Sequence, residues 1–203
     1  MADLATQFPT YPSFQTVNFK INTPSLASQT LSGKFRRVGM NVSYYTWEVK
    51  YSNLMPIDAG TVLGYTAQAF GPQFSFEIIL PKISYTRIYN QTTSQVRTAA
   101  QVQIGATSIL IQTANNANVL GAGDFFKFNN HSKVYQCVSP CVADGAGRAT
   151  LYFSGPAVAF VENNTQLTIT AVPFTAVLAE DTQEFETGVG GITSLGLTMR
   201  EVW

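Results

Sequence analysis

The chain has 203 residues, 45% of them hydrophobic, 12% aromatic and only 12% charged, and its formal net charge is zero. That length fits one large domain or two small ones, and the aromatic content without net charge excludes a disordered segment. A charge fraction about half of the usual ~25% gives a surface that favours association over a free monomer. Much of it is expected to be covered in an assembly.

The opening MADLATQFPTYPSF lacks the basic start and apolar stretch of a signal peptide. No window approaches the ~18 uninterrupted apolar residues that span a bilayer. Assembly in a cytoplasm, with no membrane partner, is the expectation. The first half then has a period of two. Val17, Phe19 and Ile21 alternate with Asn18 and Lys20, and Trp47, Val49 and Tyr51 alternate with Glu48 and Lys50. Phe74, Phe76, Ile78 and Leu80 likewise alternate with Ser75 and Glu77, so each run predicts a strand with one buried face. Between the last two lies PIDAGTVLGYTAQAF, which predicts the one helix. Pro56 suits a first turn, Gly71-Pro72 stops the element, and Leu63, Ala67 and Phe70 are expected to face the sheet.

After Pro81 the polar run SYTRIYNQTTSQVRT predicts a linker or an extended loop. Short strands follow at SILIQT, FFKF, KVYQCV, ATLYF and QLTIT, separated by the loop ANNANVLGAGD and by turns such as Asp144-Gly145. About five strands spaced roughly ten residues apart predict a small barrel or sandwich. VPFTAVLAED then returns to the earlier style, GVGG forms a loop, and TSLGLTMREVW closes the chain. The expected fold is mainly β. A β-sandwich-like domain with one flanking helix is split between residues 1–94 and 173–203, and a small OB-like β-barrel, residues 95–172, is inserted into it.

Little in the sequence points to catalysis. His131 sits in NNHS and reads as a solvated side chain; Cys137 and Cys141 in CVSPC supply only half of a zinc site and read as partly buried thiols. There is no phosphate loop of the G-x-x-x-x-G-K type and no G-x-S-x-G elbow. Glu180, Asp181, Glu184 and Glu186 read as a solvated face, the alternative being an acid–base pair for glycan cleavage. No catalytic, metal or cofactor site is therefore expected. Lys34, Arg36 and Arg37 form the one basic cluster, and a pI near 6.6 falls short of a nucleic-acid surface. That cluster reads as a strand edge that meets acidic neighbours. At the chain end, Leu195, Leu197, Met199, Glu201 and Trp203 share a strand face. A carboxylate in that apolar row requires that the strand leave the core near Met199, or that Glu201 meet a cation such as Arg36 or Arg37. Trp203 is then an exposed interface anchor, or else it folds back on its own core.

The order of these motifs resembles a known family. TPSLASQTLSGKFRRVGMNVSYYTWEVKYSNLMPIDAGTVLGYTAQAFGPQFSFEIILP is similar to the opening domain of tail proteins of tailed bacteriophages. The likeness lies in a Thr-x-Ser-Gly turn, basic residues, an aromatic strand, a helix and a Gly-x-x-x-Phe strand ending in Pro. GAGDFFKFNNHSKVYQCVSPCVADGAGRATLYFSGP resembles that family's inserted β unit, and LTMREVW its closing strand. The family's Gly-Gln-Arg-Trp pattern is stretched here, since MNVSYYT separates Gly39 from Trp47. The resemblance implies a non-enzymatic distal-tail or baseplate-hub component of the virion. It would form a homo-oligomeric ring, expected to be hexameric, between the tail tube and the baseplate or tip. Arg36, Arg37, Glu201 and Trp203 are the candidate subunit-interface residues. The competing reading is a carbohydrate-recognising tail module in which Tyr135, Tyr152 or Phe160 stack on sugars.

Overall fold

The computed structural model describes residues 7–88, 92 and 94–203. In chain order, β1 (Thr16–Asn22), β2 (Ser25–Gln29), β3 (Phe35–Gly39) and β4 (Tyr44–Leu54) precede helix α1 (Pro56–Ala69) and β5 (Phe76–Ile78). Then come β6 (Val96–Thr98), β7 (Ser108–Gln112), β8 (Asn118–Leu120), β9 (Phe125–Phe128) and β10 (Val134–Cys137). The chain ends with β11 (Cys141–Val142), β12 (Arg148–Ser154), β13 (Gln166–Thr168), β14 (Phe174–Leu178), β15 (Phe185–Thr187) and β16 (Thr193–Glu201). The fold is mainly β, as the alternation predicts. These elements form two compact units. The first comprises the chain up to Lys20, Tyr45–Leu80 and Pro173–Trp203; the second comprises Ile21–Tyr44 and Pro81–Val172. Residues 21–44 and 81–94, grouped with the first domain on sequence, thus fall with the second unit.

The first unit is built on one sheet in the order β1-β4-β16-β14-β5, with β15 added beside β16. Antiparallel β16 holds β4 from Thr193 opposite Leu54 to Arg200 opposite Thr46. The inward side chains of β4 are Tyr45, Trp47, Val49 and Tyr51, all buried. Trp47 meets Phe174 edge-on at 5.4 Å and stacks on Phe19 at 6.0 Å. Such pairs add about 0.5–1.5 kcal/mol each beyond the area they bury. Trp47 Nε1 and the Tyr51 hydroxyl are buried without a hydrogen-bond partner among the described residues. Each orphaned group costs about 1–3 kcal/mol, so the aromatic cluster has to offset them.

Helix α1 starts at Pro56, carries Asp58 in its first turn, where the helix dipole favours an acid, and ends at Phe70 in the left-handed conformation. Its inward face is Ala59, Val62, Tyr65, Thr66 and Ala69, not the expected stripe. Leu63 is half-buried, while Ala67 and Phe70 are exposed. The inward stripe escapes a hydrophobic count because it includes Tyr and Thr. Thr66 can be buried because its hydroxyl donates to the Leu63 carbonyl at 2.9 Å, and Tyr65 lies edge-on to Phe8 and Phe76 at 5.0 and 5.6 Å.

In the second unit, β10-β12-β7-β6-β13-β9 close into a barrel. Its core gathers Phe126, Phe128, Tyr135 and Phe153 around Ile111 and Leu151. The expected loop 114–124 contains β8, which pairs with β11, so Cys141 is a strand residue. Burial pushes the Cys137 and Cys141 thiols up to about 11 and about 12. Asp144 caps its turn by accepting from the Ala146 and Arg148 amides. Gly147, at φ +73°, is required there because a Cβ would lie 2.3 Å from the Thr113 carbonyl oxygen. The polar run after Pro81 is anchored in part. Buried Asp124 accepts from the Thr86 hydroxyl and the Arg87 amide, and β6 uses the end of the run. The middle of the expected linker, residues 89–91 and 93, lies outside the described residues.

His131 is half-buried, which departs from the solvated reading. The Val158 amide donates to the Tyr135 hydroxyl oxygen at 3.0 Å, and that hydroxyl lies 2.9 Å from His131 Nε2. On the other side His131 Nδ1 lies 2.8 Å from Asn130 Oδ1, and Asn130 Nδ2 donates to the Phe160 carbonyl. The chain is satisfied when Tyr135 donates to Nε2 and Nδ1 carries the ring proton. Burial, with Lys127 and Lys133 nearby, holds the imidazole down at about 4.

Two predictions follow from these contacts. Val62→Asp buries an unpaired charge in a fully buried site and should leave the protein insoluble or lower Tm by more than 10 °C, roughly 3 kcal/mol or more. Leu63→Asp should stay soluble with Tm within about 4 °C of the parent. The pH dependence follows from His131. Its folded-state value lies below the ordinary 6.5, so between pH 6.5 and about 4 the unfolded chain binds the proton and the folded one does not. Stability is therefore present above 6.5 and lost as pH falls to about 4. Discounted for partial exposure, the loss is about 1–2 kcal/mol, or roughly 2–8 °C in Tm. Melting curves at pH 7, 5 and 4 should show that extra fall in the parent and not in His131→Gln.

Candidate subunit interface

Arg36 and Arg37 stand on a hairpin. Thr30 closes its turn: the Thr30 amide donates to the Lys34 carbonyl, the Gly33 amide donates to the Thr30 carbonyl, and the Thr30 hydroxyl oxygen accepts from the Lys34 amide. β2 and β3 then pair from Ser25 opposite Gly39 to Gln29 opposite Phe35. All ten strand residues are exposed, and the pair forms a sheet of its own. Period two puts Leu26, Val38 and Arg36 on one face and Phe35 and Arg37 on the other. The Arg37 guanidinium lies 5.7 Å over the Phe35 ring. A two-stranded ribbon with apolar residues on both faces is marginal in water by itself. At the hairpin base, Ser43 Oγ would lie 2.2 Å from any Cβ on Gly155, so the close approach there requires glycine.

Two further surfaces lie on the first unit. The outward stripe of α1, Leu63, Ala67 and Phe70, lines a groove of about 600 Å³ whose other wall is Asp181, Gln183 and Phe185. Phe70 is 63% exposed and Phe185 56%. β15 holds this wall against β16, with Phe185 opposite Leu195 and Thr187 opposite Thr193. The second surface is a cleft of about 370 Å³ that includes Pro72, Val177, Arg200 and Trp203.

The four residues singled out on sequence fall in different settings. Arg36 and Arg37 are exposed on the hairpin rather than on the edge of β4. Glu201 is 1% exposed. β16 does not leave the core near Met199; it pairs through Glu201 opposite Ala176, and a Glu201 carboxylate oxygen accepts from the Tyr45 amide at 3.3 Å. The backbone donor lets a carboxylate continue the apolar row. Trp203 is 47% exposed. Of the aromatics considered as sugar platforms, Tyr135 is a core residue and cannot stack on a ligand, while Tyr152 and Phe160 are 50% and 40% exposed. Sequence reasoning missed the α1 groove. No period marks it, because its α1 wall, Leu63, Ala67 and Phe70, is the stripe that reads as inward on sequence.

The chain is thus mainly β, of two units, with an exposed apolar and basic hairpin on one and an apolar groove that includes Asp181 on the other. No protein-family model matches the chain. It is similar to the distal tail protein pb9 of Escherichia phage T5, with 25% identity over 149 residues, 71% of each chain. That match supports the distal-tail family relationship implied by the order of its motifs.

The terminus gives a direct test. Val202 donates one backbone bond to the Thr175 carbonyl at 3.0 Å, so deleting Val202 and Trp203 removes that bond, about 1 kcal/mol or 2–4 °C in Tm, together with what Trp203 itself contributes to its unit. If Trp203 is an interface anchor, sizing should show weakened oligomers with melting otherwise kept. A larger loss of Tm would place Trp203 in its own unit's core.

Proposed function

We propose that this chain is a non-enzymatic structural protein of a bacteriophage tail. Copies of it form a ring, expected to hold six, at the distal end of the tail tube and join the tube to the baseplate or tip. Its partners are further copies of itself, the tube protein and the hub, and its location is the virion tail after assembly in the host cytoplasm. The similarity to the pb9 distal tail protein carries this reading. The exposed surfaces agree with it: Leu26, Phe35, Val38, Phe70 and Phe185 are each more than half exposed, which is costly for a chain that remains a monomer. A charge-poor, neutral surface adds to the tendency to associate.

The test is the state of the purified chain. Sedimentation with averaged negative-stain images should give closed rings of one size. A stable monomer at concentrations above ~100 μM, where even weak interfaces of about 5–6 kcal/mol form, would overturn the proposal.

A further inference from the structure

In the barrel unit, the turn between β9 and β10 and the connection from β12 to β13 meet across one imidazole, that of His131, the chain's single histidine. The connection is fixed at two buried points by backbone bonds. The Ala157 amide donates to the Ala106 carbonyl and the Ala157 carbonyl accepts from Gly105, while Val161 and Val102 exchange both of their bonds. Between those points, two contacts hold residues 158–160 to the turn and to β10. The Val158 amide donates to the Tyr135 hydroxyl oxygen at 3.0 Å, and Asn130 Nδ2 donates to the Phe160 carbonyl at 2.9 Å. Both contacts depend on His131. With Asn130 Nδ2 turned to Phe160, Asn130 Oδ1 faces the ring at 2.8 Å and calls for a hydrogen on Nδ1. Nε2 is then bare and takes the Tyr135 hydroxyl hydrogen at 2.9 Å, which leaves the hydroxyl oxygen to receive Val158. This order of donors and acceptors requires a neutral ring.

We propose that His131 is a proton-operated latch: neutral, it holds residues 158–160 on the end of the barrel, and protonated, it releases them while the barrel stays closed. A proton from water adds to the Nε2 lone pair. The ring and the Tyr135 hydroxyl then point hydrogens at each other, so the hydroxyl has to turn, and Nε2–H competes with the Val158 amide for its oxygen. The charges that act on the ring are those of Lys127 on β9 and Lys133 in the turn, both cationic. The facing segment brings Val158, Ala159 and Phe160, none of them charged. A positive ring in that setting is relieved by reaching water, which release of the segment allows. Burial and the two lysines hold the closed-state imidazole at about 4, against about 6.5 for a ring in water. Between those values the released form binds a proton and the closed form does not, so its share rises by up to about tenfold for each unit that pH falls. The anchors at Ala157 and Val161 do not pass through His131, and opening three residues costs less than unfolding the barrel, so release comes first.

Hydrogen–deuterium exchange of the full chain at pH 6.5 and pH 4, corrected for the intrinsic pH dependence of amide exchange, tests this. In the parent, peptides covering residues 157–161 should lose protection at least about tenfold between the two conditions, while β12 peptides covering 148–154 keep theirs. His131→Gln cannot take the proton and should show no such step. Tyr135→Phe keeps the aromatic ring in the core but removes the hydroxyl, so its segment should exchange at pH 6.5 as fast as the parent's does at pH 4. The two variants are independent, and if one fails to fold the other decides. Equal protection of 157–161 in the parent at both pH values overturns the latch. So does a step that persists in His131→Gln, a Tyr135→Phe segment as protected at pH 6.5 as the parent's, or a loss of protection spread equally over β12.

Discussion

The antiparallel pairing of β16 with β4 is the interaction on which the first unit depends. It joins residues about 150 positions apart, and such a closure is unfavourable until burial rewards it. The reward is the inward row on both strands: Trp47 opposite Met199, Val49 opposite Leu197 and Tyr51 opposite Leu195, all buried. β14 adds Phe174, Ala176 and Leu178 to the same layer. Because β16 is held on that side, β15 can lie along it and present Phe185 to the α1 groove, while Glu184 and Glu186 line a cleft with Lys50. The wall of the α1 groove that holds Asp181, Gln183 and Phe185 is thus a consequence of how the chain end is seated.

The hairpin contrasts with that core. β4 is held by a buried face, whereas β2 and β3 are held, among the described residues, by their own pairing, the Thr30 turn and the Met40 amide to Pro24 carbonyl bond at their base. Backbone hydrogen bonds contribute about 0.5–1.5 kcal/mol each in net terms, and ordering the segment costs ~1–2 kcal/mol per residue in backbone entropy. Burial has to supply the difference, and on this hairpin it is missing from the monomer. An assembly that covers Leu26, Phe35 and Val38 supplies it. In the proposed ring, assembly and hairpin order would be one equilibrium seen from two sides.

Much of the fold was legible because half-buried strands show their period directly. The alternation in WEVKY, FTAVL and TSLGLTM marks β4, β14 and β16, and turns such as Asp144-Gly145 mark the ends of barrel strands. The inward face of α1 was not legible, since Tyr65 and Thr66 count as polar until their partners are known. Strands of two or three residues, β8, β11 and β15, are set by distant partners and carry no period of their own. His131 read as solvated because the Tyr135 and Asn130 contacts that hold it depend on the barrel's closure. Of the candidate interface, the basic cluster was visible as charge. The α1 groove was not visible, because it exists only once α1 has turned Leu63, Ala67 and Phe70 outward.

Hydrogen–deuterium exchange, followed by mass spectrometry on the assembled and the dissociated protein, addresses the claim that assembly covers these surfaces most directly. The account predicts that peptides spanning residues 24–40 and 180–187 slow strongly on assembly, while barrel peptides such as 125–137 exchange alike in both states. Equal exchange of the hairpin amides in ring and monomer would contradict it.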